Sequence, residues 1–336
     1  MIVKKMPILQ GFPDFETVKF FTGKFFQKYN FSPVFYDIET TGLSRKSTFL
    51  YLIGAVGIED ETWYFHQWMA ESDREEETIL RIFSQFLQQC DLLISYNGER
   101  FDQPYLEARY EKYGLPSPFD DKMSLDLYLT LKPLKTLLKL PALKQPCLEE
   151  FLGIKDRIYN NGKECIQLYK DFLKKRDAIT AEEILGHNLE DVLGLGRIFE
   201  MLSYLCIYDS EYEVTYAELD DENLILELTL PYKLPQKFSN GNEQFYLTGE
   251  KETISGTCTF LFAEHIKIIF PKQKHHLGIN LIMQRWCLSI SLQFCIKKLF
   301  FCSFLSCRCF KSFHAQADLL VFAVEVNNLS FDFLSD

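Results

Sequence analysis

The order of the apolar segments leaves this chain few folds to choose from. Val34-Phe-Tyr-Asp-Ile38 reads as a buried strand, Phe49 to Ile58 is β-branched and apolar, and Thr62 to Trp68 alternates. Three strands therefore follow one another. Ser72 then opens a helix, with Glu75 at capping-box spacing and Ile79, Ile82, Phe83, Phe86 and Leu87 on one face. The run Glu75-Glu76-Glu77 reads as a complement to the helix dipole. Asp91 to Tyr96 is a fourth strand, Phe101 to Tyr113 a helix ended by Gly114, and Met123 to Leu127 a short fifth strand. Helices at about 148–152, 162–176 and 180–204 close the run. Strands in that order, interleaved with helices, make an α/β plan.

The texture changes near residue 208. Glu211 to Glu218 and Asn223 to Leu230 alternate like a hairpin across Asp220-Asp221-Glu222, and Tyr246 to Thr248 and Thr257 to Phe262 read as further strands. The expected division is an extension over 1–31, an α/β domain over 32–207, a β-rich region over 208–271 and an atypical tail over 272–336. Six of the ten cysteines lie from Cys258 onward, and neither period is sustained in the tail. Cys302, Cys307, Cys309 and His314 do not follow a standard zinc spacing, and a shifted reading frame accounts for the tail's texture equally well.

Composition narrows the class. A net charge of -11 argues against a protein that coats polyanions, so any basic contact surface must be local, as around Lys132, Lys135, Lys139 and Lys144 or Lys170, Lys174, Lys175 and Arg176. No apolar run reaches the roughly 20 residues of a membrane helix, so no membrane partner is expected. The start has no signal-peptide pattern and the cysteines form no paired framework, which together read as reduced thiols in a cytoplasm.

Three acidic motifs carry the chemistry. In Asp37-Ile-Glu39-Thr-Thr-Gly-Leu43 the two acids alternate on a strand and share a face. Carboxylates that close repel unless a cation lies between them, and hard ions such as Mg²⁺ or Mn²⁺ suit them. The Thr40-Thr-Gly-Leu43 turn then brings backbone close to a ligand, with Gly42 free to take a positive φ. Asp102, in Asn97-Gly-Glu-Arg-Phe-Asp102, stands at the start of a helix, where it is either a ligand or a charge at the helix N-terminus. His187 and Asp191 are four apart on one helix face, either a proton acceptor beside a metal ligand or an exposed pair. Asp126, on the fifth strand, is a second-tier site candidate that reads more readily as a strand-end or helix-capping acid.

The ordered set resembles the DEDD superfamily of 3′–5′ exonucleases, and residues 32–205 more narrowly resemble the YprB-type ribonuclease H-like family of bacterial proteins. The resemblance implies a ribonuclease H-like α/β fold, with a mixed five-stranded sheet flanked by helices. It implies that Asp37, Glu39, Asp102 and Asp191 bind two divalent cations, Mg²⁺ or Mn²⁺, with His187 as general base. It further implies that Thr40, Thr41, Leu43, Asn97 and Phe101 line a site for the terminal nucleotide. One spacing departs from the pattern: the histidine branch has its base five residues before the last Asp and the tyrosine branch four, whereas here a histidine takes the four-residue spacing. The expected activity is exonucleolytic hydrolysis of nucleic acid, DNA at single-stranded ends, with DNA repair and a helicase partner as the family's character suggests. A nucleic-acid-binding module without turnover is the alternative.

Overall fold

The computed structural model describes residues 1–27, 31–155, 157, 158, 162–208, 212–220, 223–242 and 245–259. The tail over 272–336, its cysteine cluster and the turn at Asp221-Glu222 lie outside these residues. The described residues all fall within one compact unit, Met1–His275.

In chain order the elements are β1 (Ile2–Pro7), α1 (Phe15–Phe26), β2 (Pro33–Thr40), β3 (Leu50–Glu59), β4 (Thr62–Met69), α2 (Glu76–Phe86), β5 (Leu92–Ser95), α3 (Asp102–Lys112) and β6 (Met123–Asp126). Next come two single-turn helices, α4 (Leu127–Thr130) and α5 (Leu134–Leu137), then α6 (Gln145–Phe151), α7 (Gly162–Lys175) and α8 (Ala178–Phe199). The first sheet has the order β1-β4-β3-β2-β5-β6. Neighbours from β1 to β2 pair antiparallel, whereas β2, β5 and β6 are parallel. The α/β class and the mixed sheet agree with the sequence reading, but the sheet has six strands rather than five. The added strand is Ile2–Pro7, read from sequence as part of an extension. Six residues are too few to declare a period, and this strand is defined by its pairing with β4 from Ile2↔Met69 to Pro7↔Tyr64.

β2 runs through the centre, so both of its faces are covered. Phe35 meets Trp63 and Phe199 on one face, while Tyr36 meets Phe83 on the other. α8 packs on the first of these faces and α2 on the second. α7 is held to the sheet by Tyr169, which stacks on Tyr51 at 3.9 Å and donates to the carbonyl of Ala70.

One expected detail of the helix after β4 does not hold. The Ser72 side chain caps nothing, because Asp73–Glu75 is a 3₁₀ turn and α2 begins only at Glu76. Glu76 and Glu77 do stand in the first turn of α2, as a dipole complement would, but Glu76 also has a second part. It is fully buried, accepts from Arg109 Nε at 2.6 Å, Leu50 N at 2.8 Å and Tyr113 Oη at 2.7 Å, and pairs with the Arg109 Nη2. Arg109 also donates to the Arg45 carbonyl at 3.1 Å, so the pair anchors the loop that follows β2. Gly114 does end α3 with φ +64°.

A second sheet, β7 (Glu213–Asp220), β8 (Asn223–Thr229), β9 (Phe238–Gly241), β10 (Phe245–Glu250) and β11 (Thr253–Thr259), has the order β7-β8-β11-β10-β9 and is antiparallel throughout. Between the sheets, Glu200–Ile207 is a 3₁₀ helix whose Tyr204 donates to the Gln236 carbonyl at 2.6 Å. Among the described residues no helix is long and apolar enough to cross a membrane.

Candidate metal centre

The parallel run of β2, β5 and β6 brings their C-terminal ends to one edge of the sheet, and the acidic motifs meet there. Asp37 and Glu39 are alternate residues of β2, so both face α8. α8 supplies His187, Asn188 and Asp191. Carboxylate oxygens of Asp37, Glu39 and Asp191 lie within 4.8 Å of one another, although Asp191 is more than 150 positions from the other two. Asp102, 5 % exposed at the first position of α3, stands outside that trio but close enough for its charge to act on it.

Burial and mutual repulsion set the electrostatics. Desolvation first, then Asp191, Asp102 and Glu39, push the Asp37 carboxyl well above the usual range. Desolvation, Asp191 and Asp102 do the same to Glu39. Asp102 is raised to about 7, chiefly by desolvation and opposed by backbone N–H groups, that of Ile38 among them. These carboxylates form a site built for positive charge.

His187 is 6 % exposed, with its Nε2 3.4 Å from both Glu39 Oε1 and Asp191 Oδ2. The four-residue spacing thus places the imidazole between two of the acids. Arg157 pairs with Asp191 and, at 3.1 Å, with Glu149. Gln145 donates to the Asp191 carbonyl at 2.8 Å.

The residues expected to line the nucleotide site are arranged around this edge. The Thr40 hydroxyl donates to the Gly42 carbonyl at 2.9 Å, and the Thr41 hydroxyl is exchanged with the backbone of Phe49. Leu43 is 83 % exposed at the tip of the loop. Asn97 takes φ +62° in the turn after β5, and Phe101 lies half-buried against Tyr105. Asp126 receives the N–H groups of Asn97 and Glu99 at 2.9 and 3.2 Å and caps α4 through Leu129 N, so it shapes that turn. Gly42 does not use its freedom to take a positive φ. The glycine is required there by close approach, since a Cβ would lie 2.9 Å from Thr48 Cγ2.

Sequence reasoning missed what holds Asp37. Asn188, fully buried, donates from Nδ2 to Asp37 Oδ2 at 3.0 Å. Gln67 Nε2 in turn donates to Asn188 Oδ1 at 2.9 Å and to the Leu185 carbonyl at 2.8 Å. The register pairs Asp37 with Gly54 and Gly54 with Gln67, so the chain of amides passes directly over Gly54. A Cβ there would meet Asn188 Oδ1 at 2.0 Å and Val192 Cγ2 at 3.0 Å. Gly54→Ala is therefore expected to cost about 2–3 kcal/mol through overpacking, with a lowered midpoint in thermal unfolding. Pairing it with Asn188→Ala should recover part of that loss, and strictly additive effects in the double-mutant cycle would show that the two sites do not press on each other.

Comparison with known proteins gives one family match. No curated protein matches the chain. Among solved structures, the family B DNA polymerase from the hyperthermophilic archaeon Pyrobaculum calidifontis is similar over 89 % of this chain at 11 % identity and a TM-score of 0.44. The chain spans about half of that polymerase, 51 % of its length. The family model RNase_H_2, described as RNase_H superfamily, matches residues 34–203. That match runs from β2 through α8, takes in all four acids and covers half of the sequence, and the chain belongs to the RNase_H superfamily.

Proposed function

We propose that the protein is a metal-dependent 3′–5′ exonuclease, hydrolysing phosphodiester bonds at single-stranded ends of nucleic acid, DNA in the first instance. The observation that carries this reading is the meeting of Asp37, Glu39 and Asp191 within 4.8 Å beside Asp102, at the edge where the loops after β2 and β5 emerge. The donor set fits divalent cations. All four groups offer hard oxygen, and their shared repulsion is what a bound cation removes. Two ions, Mg²⁺ or Mn²⁺, would supply Lewis-acid activation of water and neutralise charge on the leaving oxygen.

The chain's own residues take the following parts. Asn188 holds Asp37 in its rotamer. His187 accepts a proton at Nε2, where it already lies between Glu39 and Asp191. Thr40 and Thr41 have their hydroxyls committed inside the loop, and the Thr41 N–H donates to the Phe49 carbonyl at 2.9 Å, so the two line the site by fixing the path of that loop. Leu43 and Phe101 offer apolar surface to a base, and Asn97 shapes the turn facing it.

Arg157 on Asp191 is the observation that favours the alternative, a nucleic-acid-binding module without turnover, because a guanidinium there competes with a cation. One experiment separates the two. DNA and RNA strands labelled at the 5′ end, single and double, are incubated with Mg²⁺ or Mn²⁺. The expected result is a ladder shortening from the 3′ end that a chelator stops. Binding without cleavage of every substrate with either metal establishes the module instead.

A further inference from the structure

Cys165 borders the carboxylates yet has no part in the reading above. It lies in the first turn of α7 and is 2 % exposed. Its Sγ, a carboxylate oxygen of Glu39 and a ring nitrogen of His187 lie within 4.8 Å of one another, and all three residues are buried. A core thiol that serves only packing sits among apolar groups. The surroundings of this one include a carboxylate, an imidazole and the Tyr51 hydroxyl, which also reaches Glu39 Oε2 at 3.5 Å.

One sulfur, one nitrogen and one oxygen converging on a point is not a magnesium environment. Mg²⁺ wants oxygen alone and near-octahedral order, whereas Zn²⁺ accepts thiolate, imidazole and carboxylate together in a tetrahedron. We infer that Glu39, Cys165 and His187 form a zinc site distinct from the Asp37–Glu39–Asp191 set, with its fourth position open. On binding, the Zn–S bond forms as the S–H bond breaks, and the proton leaves to solvent; nothing is oxidised or reduced. The two ion sets share Glu39, so occupancy of one excludes full occupancy of the other. Zinc also engages the imidazole ring assigned above to proton transfer. Zinc therefore silences the enzyme by competition. This consequence rests on the proposed nuclease activity, but the zinc site itself does not.

The test uses the full chain with Co²⁺ as a visible substitute for zinc. Cobalt bound to thiolate gives a near-ultraviolet charge-transfer band that carboxylate and imidazole do not give. The chain has ten cysteines, so the informative quantity is the difference between the wild type and Cys165→Ser. The expected result is a band smaller by one site in Cys165→Ser and displaced by Zn²⁺ in the wild type. Zinc affinity at that site should be at least about tenfold weaker in the variant, the scale on which even outer partners of a metal matter. Cys165→Ala should behave alike, which covers the case in which serine misfolds. Asp37→Asn, which leaves the zinc trio whole, should keep the band. An identical band in wild type and both Cys165 variants, or no thiolate band in the wild type, overturns the site. In the nuclease assay, the zinc concentration that halves Mg²⁺-supported activity should rise about tenfold in Cys165→Ser, in line with the weakened affinity. Equal inhibition of both proteins overturns the competition. Absence of any nuclease activity overturns the earlier reading alone, since the cobalt spectra still decide the site.

Discussion

Asp37→Asn is expected to abolish metal-dependent hydrolysis while making the metal-free protein more stable. The substitution preserves shape, and Asn188 Nδ2 can still donate to the new amide oxygen across the 3.0 Å contact. What is lost is one carboxylate of a set in which burial and the neighbouring acids hold Asp37 and Glu39 well above the usual range. With a ligand gone, the loss of bound-ion stabilisation in the transition state is about 4 kcal/mol, roughly a thousandfold in rate. The metal-free fold gains from relieved repulsion and from no longer burying a carboxylate, by about 1 kcal/mol or about 2–4 °C in midpoint. The wild type should also be stabilised by added Mg²⁺ or Mn²⁺ more than the variant, because only an ion that binds the native state raises its midpoint. Rate assays and thermal melts on the same two proteins check all of this. Retained activity, or a metal-free midpoint that falls, would show that Asp37 serves packing.

Glu76→Ala is the change expected to cost the most stability. It strands the Arg109 guanidinium, 1 % exposed, and leaves Leu50 N and Tyr113 Oη without their acceptor. Breaking a buried pair from one side costs about 3–5 kcal/mol, on the order of 10 °C in midpoint for a domain of this size. The penalty comes from the uncompensated charge rather than from the lost attraction. Glu76→Met combined with Arg109→Leu should therefore recover most of it, and denaturant unfolding of the single and double variants measures the difference. A double variant as unstable as Glu76→Ala would falsify that account. The loss should reach the metal edge too, since Arg109 holds the Arg45 carbonyl in the loop after β2.

The sequence revealed the parts of the fold and site whose physics is local. Alternation along β2 was enough to place Asp37 and Glu39 on one face, and a single helix turn was enough to align His187 with Asp191. The parts that stayed hidden depend on partners far along the chain. Asn188 sits mid-helix and reads as an ordinary polar residue, yet it meets Asp37 across 151 positions and Gln67 across 121. Glu76 is one of three consecutive glutamates, and only Arg109, 33 positions on, singles it out for burial. Cys165 carries no spacing signal at all, because its neighbours Glu39 and His187 come from two other elements. Ile2–Pro7 has too few residues for a period, and the exposed edge of β4 makes it a strand.

The sheet changes strand direction at β2, antiparallel toward β3 and parallel toward β5. Three of the four acids are carried by regular elements bonded into the core, and the fourth opens one. The loop from Thr41 to Phe49, by contrast, carries Leu43 out into solvent at its tip. On the proposed exonuclease reading, reactivity and selectivity are then carried by separate stretches of chain. Loop exchange at that edge would then retune which strand end the proposed enzyme admits while the acids stay in register, so descendants of such a protein would change diet without relearning chemistry.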